Sequence, residues 1–186
     1  DGTVISVVAD HPSGSRSPGV MVNGQLTRIY GKEDINVNLD DQYFYDGVSV
    51  NVSPNGKYVP GYWSVTGSGS DLAGFVYDTE NGTLEELEGW GAATAVLDDG
   101  TLFGFSSYMG SALYRNADKS FNGTLSDYLN LYYDGYNGNL PQTILSVSGD
   151  GKTIGGWYSI ADAIGALMIP SIVVLNGEPN DAPNHI

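Results

Sequence analysis

Short runs in which small or polar and apolar residues alternate recur along this chain, as in "VSVNV" (48–52), "ATAVL" (93–97) and "TILSV" (143–147). That spacing belongs to strands with one face buried. Glycine next to Asn or Asp interrupts the runs at Asp1-Gly2, Asn55-Gly56, Asp99-Gly100 and Asp150-Gly151. The last three each stand between two alternating runs, so the pattern predicts a β-hairpin closed by a two-residue turn. In "SVSGDGKTIGGWY" (146–158), Gly149-Asp150-Gly151 is therefore a turn and not a metal or phosphate loop. No segment reads as a long helix: 159–168 has weak apolar periodicity and carries Gly165 inside it.

The turns recur at spacings of 54, 44 and 51 residues, near the roughly 40–50 of propeller-blade repeats. After each second strand comes a third run, at 17–23, 73–79, 111–117 and 165–175. Three of the four copies add a Leu-containing fourth run, at 23–29, 81–87 and 122–129. Four strands per repeat is the content of a propeller blade. The expected fold is all-β: four propeller-type blade repeats of about four short antiparallel strands each. They cover about 1–30, 48–88, 92–129 and 142–176 of one domain, 1–176, before a polar tail, 177–186. A β-sandwich is the alternative. The first copy starts at its turn with no strand ahead of it. A larger propeller is thus expected, or one completed by strand pairing with a missing segment or a partner chain.

The segment "SPNGKYVPGYW…AGFVYDTENGTLEEL" (53–87) resembles the HAF-type extracellular repeats of bacteria, which are similar to β-propeller blades. The resemblance covers most of the chain and implies architecture and location, while carrying over no catalytic residue. Two departures stand out: the third copy is one residue shorter before Gly104, and the first has Val7 where the others place Gly or Phe.

Twenty-six glycines and 13 tyrosines suit many short strands and tight turns. A net charge of −15 would repel a phosphate backbone, which excludes nucleic acid as a partner. There is no cysteine to form a disulfide or bind zinc. The longest apolar stretch, "IGALMIPSIVVL" (164–175), is broken by Pro170 and falls short of the roughly 18 residues of a membrane helix. With no leader-like segment at its start, any targeting segment is expected to have been removed or to lie outside the sequence. A secreted, cell-surface or periplasmic protein is the expectation.

Two connections are long and rich in Tyr, Asp and Asn: 30–47 and 128–141, each containing Tyr-Asp-Gly. In a blade they would gather on the face opposite the Asx-Gly turns. Aromatic rings there offer apolar faces to sugar C–H edges, while Asp and Asn fix hydroxyls. Tyr43, Tyr45, Asp46, Trp90, Tyr133, Asp134, Tyr136 and Trp157 are the candidate contacts for a glycan or protein ligand. Packing between blades is the other use of such rings.

Catalysis finds little support. Asp40-Asp41 and Asp98-Asp99 diverge on an extended chain. Asp34, Asn36, Asn38 and Asp40 alternate as in a solvated loop, without the spacing of an EF-hand. His11 precedes Pro12 in a Ser/Gly loop and His185 stands in the terminal "NDAPNHI", so neither is expected to be held still beside a serine or carboxylate as a triad requires, and neither a nucleophile elbow nor a Walker loop occurs. No catalytic residue, metal or cofactor is expected. The chain reads as a non-catalytic module for binding or scaffolding. The alternative is a carbohydrate-active hydrolase or lyase completed by missing blades, with carboxylates such as Asp46 and Asp134 meeting across the face.

Overall fold

The computed structural model describes residues 3–10, 16–29, 47–64, 72–106, 110–133, 140–162 and 165–176. Each repeat segment forms one antiparallel sheet whose strands pair in chain order. The first sheet holds β1 (Val4–Asp10), β2 (Arg16–Val22) and β3 (Gln25–Arg28). The second holds β4 (Gly47–Ser49), β5 (Tyr58–Ser64), β6 (Leu72–Asp78) and β7 (Thr83–Leu87). β8 (Ala92–Val96), β9 (Leu102–Phe105), β10 (Ala112–Arg115) and β11 (Asn122–Thr124) make the third. In the fourth lie β12 (Thr143–Val147), β13 (Thr153–Asp162) and β14 (Gly165–Val174). Among the described residues the first sheet has no strand ahead of β1, and the fourth has none beyond β14. The described residues of the weakly periodic stretch 159–168 lie in the paired strands β13 and β14.

The Asx-Gly hairpins form with a longer loop than the two-residue turn the sequence predicts. Ser53 N–H bonds to the Tyr58 carbonyl and Ser148 N–H to the Thr153 carbonyl, enclosing loops wider than two residues. A two-residue type I′ turn needs positive φ at both central positions. At these sites only glycine supplies it: Gly56 at 81°, Gly100 at 95° and Gly151 at 72°. The preceding Asx keeps negative φ and acts through its side chain. Asn55 Oδ1 accepts the Lys57 N–H, Asp99 Oδ1 that of Thr101, and Asp150 Oδ1 that of Lys152. The two-residue turn does occur at Asn23-Gly24, with φ of 52° and 79°, where Val22 pairs with Gln25. Loop 116–121 repeats the longer design without glycine. Lys119 takes φ of 63°, and Asp118 Oδ1 accepts the Ser120 N–H.

The fourth run of the third copy, expected as strand over 122–129, is strand only to Thr124 and then becomes helix α1 (Leu125–Tyr132). Thr124 caps it: its hydroxyl accepts the Asp127 N–H at 3.1 Å. Leu125 and Leu129, four residues apart and both 0% exposed, bury the same face of that helix.

Three cores stack the sheets in chain order. Val20 and Ile29 meet Val59 and Phe75 between the first and second sheets, where Trp63 stacks on Phe75 at 4.7 Å. Between the second and third lie Val76, Leu87, Trp90, Ala93, Leu102 and Leu113. Phe103, Tyr114, Leu125, Leu129, Ile144, Ile154 and Val173 join the third sheet, α1 and the fourth. The turns also meet: Asn55 N–H donates to Asp98 Oδ1 at 2.7 Å, and Leu97 packs on Gly151.

One glycine recurs in the second strand of three sheets. A Cβ on Gly61 would lie 2.4 Å from the Val48 carbonyl oxygen; on Gly104, 2.0 Å from that of Ala92; on Gly156, 2.0 Å from that of Thr143. Each glycine lets the preceding strand lie close. In the first sheet Val7 holds the equivalent position, on a strand with no such neighbour among the described residues.

Candidate functional site

The residue after each of those glycines is aromatic: Tyr62, Phe105 and Trp157. All three line one cleft of about 440 Å3, although they come from three different sheets. A second equivalent set lines it as well. Val50, Thr94 and Leu145 each stand three residues before the residue that opens the hairpin loop, Ser53, Leu97 or Ser148. Thr94 and Leu145 are the extra residues where the β8–β9 and β12–β13 registers shift. Such bulges redirect a side chain that would otherwise follow the strand's alternation. Asn51, Leu72 and Thr143 complete the lining.

Polar groups tie the cleft together. The Asn51 amide donates to the Thr94 carbonyl at 2.9 Å and to the Leu145 carbonyl at 3.2 Å, so one side chain joins the second, third and fourth sheets. Thr94 Oγ1 donates to the Ile144 carbonyl at 2.7 Å. The Thr143 hydroxyl is buried and has no hydrogen-bond partner. A buried hydroxyl without a partner retains most of its desolvation penalty, which a ligand bearing a matching polar group would relieve. The described lining contains no carboxylate.

Of the residues expected at a binding face, Trp157 reaches this cleft. Trp90 is held in the core at 4% exposure, its indole N–H donating to Asn122 Oδ1 at 3.0 Å. Tyr133 packs near Tyr128, with ring centroids 6.1 Å apart, and follows the end of α1. Tyr43, Tyr45, Asp46, Asp134 and Tyr136 lie outside the described residues. Sequence reasoning passed over Tyr62 and Phe105. The signal for them is the Gly-aromatic pair, present as Gly61-Tyr62, Gly104-Phe105 and Gly156-Trp157.

A smaller hollow of about 220 Å3 lies between the second and third sheets on the side of the hairpin turns, lined by Tyr58, Asp78, Glu85, Asp99, Arg115 and Lys119 among others. Arg115 donates to both oxygens of Glu85, at 2.8 and 3.3 Å, and Lys119 adds a third contact at 2.7 Å. Burial pushes the Glu85 carboxyl up, but its bonds to Arg115 and Lys119 outweigh this and hold it below the ordinary range. At Asp78 burial likewise raises and the Asn81 and Glu80 donors lower, with a net shift downward. Glu85, Arg115 and Lys119 are thus consumed in joining the second and third sheets, and Asp78 in closing its own turn.

Among the described residues, no group of three or more His, Cys, Asp or Glu is placed to hold a metal. No described helix is long and apolar enough to cross a membrane. No protein-family model matches the chain, and no curated protein matches it.

Proposed function

We propose that this chain is a non-catalytic recognition module built from propeller-type blades of the HAF-like kind, secreted or displayed at a cell surface. Its ligand is a glycan, seated in the cleft where Tyr62, Phe105 and Trp157 converge. One observation carries the reading: equivalent positions of three repeats supply three aromatic rings and three further side chains to a single cleft. Rings give faces for sugar C–H groups, while Asn51, Thr94 and Thr143 provide hydrogen-bonding groups at the wall. The hydrolase or lyase alternative needs carboxylates at the reacting bond, and the described lining supplies none.

A glycan array probed with the wild-type chain, then with Tyr62→Ala and Trp157→Ala, tests this. Each substitution is expected to weaken binding of the positive glycans about tenfold, corresponding to roughly 1.4 kcal/mol. Trp63→Ala, which alters the core between the first and second sheets, serves as a control for altered packing. Unchanged binding in both cleft variants would remove the cleft as the site. An array with no positive glycan would remove the ligand class.

A further inference from the structure

We infer that the cleft selects uncharged glycans, whose hydroxyls donate hydrogen bonds to its wall, and rejects acidic glycans that carry carboxylate or sulfate. This rests on the reading of the cleft as a glycan site and specifies which glycans enter it. Hydrogen-bond polarity sets the first half of the preference. Both Asn51 amide protons are spent, one on the Thr94 carbonyl and one on the Leu145 carbonyl. What Asn51 still offers is Oδ1, an acceptor that takes no hydrogen bond among the described residues. The Thr94 hydroxyl proton is likewise spent, on the Ile144 carbonyl, and only its oxygen lone pairs remain. Of the three polar side chains, Thr143 alone keeps a proton to give. The wall therefore accepts at three side chains and donates at one. A sugar hydroxyl can donate to such a wall, whereas an ionised acid group can only accept. The Tyr62 hydroxyl and the Trp157 indole add neutral donors at most.

Charge sets the second half. The chain has 22 acids against 7 lysines and arginines. Five of those cations, Arg28, Lys57, Arg115, Lys119 and Lys152, have described side chains, and none of the five lines the cleft. Three of them are already held by acids elsewhere: Lys57 by Glu80 at 3.1 Å, and Arg115 and Lys119 by Glu85. The rest of the lining is Val50, Leu72, Leu145 and the rings. A carboxylate entering there gives up its water for apolar carbon and for oxygens that cannot donate, which is costly without a cation. The net charge of −15 also repels an anion before it arrives.

Leu145 is where this preference can be changed. It lines the cleft from the irregular register of β12 and β13, and it is 52% exposed. A different side chain there leaves the buried cores intact, and a charge placed there stands beside the ligand.

The test is a glycan array printed with matched pairs, each a neutral oligosaccharide and its uronic acid counterpart, which differ only in a primary alcohol replaced by a carboxylate. The wild-type chain is expected to bind the neutral member about 30-fold or more tighter. That binding should hold constant between about 0.05 and about 0.5 M salt, because no charge pair is there to be screened. Leu145→Lys should narrow the preference about fivefold, and Leu145→Glu should widen it by a similar factor. Both variants remove the same leucine, so the difference between them isolates the charge. Equal or tighter binding of the acidic members by the wild-type chain overturns the inference, as does an identical preference in the two Leu145 variants. Either result leaves the cleft standing as a glycan site. An array on which no glycan binds removes that reading, and the selectivity with it.

Discussion

Replacing Gly104 with alanine tests whether the recurring glycine is required by the close approach of its neighbour strand. The new Cβ would lie 2.0 Å from the Ala92 carbonyl oxygen and 3.0 Å from the Ala92 carbonyl carbon and the Ala93 Cα, all of them backbone atoms. No side-chain rotation relieves that overlap, so β8 and β9 must part. Overpacking of this kind costs about 1–3 kcal/mol, and loosening one or two ladder bonds adds about 1 kcal/mol each. A loss of roughly 2–5 kcal/mol is expected, a large share of the roughly 5–15 kcal/mol that holds a domain folded. At about 2–4 °C per kcal/mol for a chain of this size, the melting temperature should fall by about 10 °C. The comparison is Gly89→Ala, where φ is 78° but nothing lies within 4 Å of the added carbon. Only the left-handed backbone is then penalised, by about 1–2 kcal/mol. Thermal melts followed by circular dichroism, with urea midpoints at constant slope, separate the two. A Gly104→Ala protein no less stable than Gly89→Ala would refute the steric reasoning.

Thr143→Val removes a buried hydroxyl that has no partner and should raise stability by about 1 kcal/mol in urea titration, while weakening any glycan that bonds to that oxygen. Glu85→Gln leaves Arg115, whose side chain is only 9% exposed, without its carboxylate; because Glu85 itself is partly solvated, the expected loss is about 2 kcal/mol in the same assay. Glu85 and Asp78 both have folded-state values below their ordinary 4.5 and 3.8. Their contribution is therefore complete above those ordinary values and is lost as pH falls through the lowered folded ones. Denaturant midpoints should drop below about pH 4.5, and less so in Glu85→Gln. Thr124→Ala removes the cap of α1 and should cost about 1 kcal/mol, read as a lower melting temperature.

The sheets are legible in the sequence because their turns advertise themselves. Asn55-Gly56, Asp99-Gly100 and Asp150-Gly151 interrupt alternating runs, and the strands on either side follow. Less legible is the loop at 116–121, where Lys119 adopts the backbone conformation that glycine takes elsewhere. The loop lengths depend on whether Asx contributes its backbone angle or its side-chain oxygen, and the dipeptide alone does not distinguish these. Helix α1 escaped because Leu125 and Leu129 sit in a run also compatible with a strand; the Thr124-to-Asp127 cap was its only local mark. The cleft was half legible. Trp157 was visible as an aromatic leaving the second strand, but comparing it with Trp63 shifts the register by one residue. Trp63 faces the first sheet's core, whereas its neighbour Tyr62 lines the cleft with Trp157. Alternation reverses the face at each step, so a one-residue offset exchanges core for site.

Asn51 gives the cleft a consequence for how the protein is made. It belongs to Asn51-Val52-Ser53, one of three Asn-x-Ser/Thr acceptor sequences, with Asn81-Gly82-Thr83 and Asn122-Gly123-Thr124. Each of these asparagines is already occupied: Asn51 spans three sheets, Asn81 Nδ2 donates to Asp78 at 2.8 Å, and Asn122 receives the Trp90 indole. Sugar attaches to the asparagine side-chain nitrogen. At Asn51 that is the atom joining β8 and β12 to the second sheet. Passage through a eukaryotic secretory pathway would set glycosylation in direct competition with assembly of the cleft, whereas a host that leaves these sequences unmodified keeps the nitrogen free for its structural bonds.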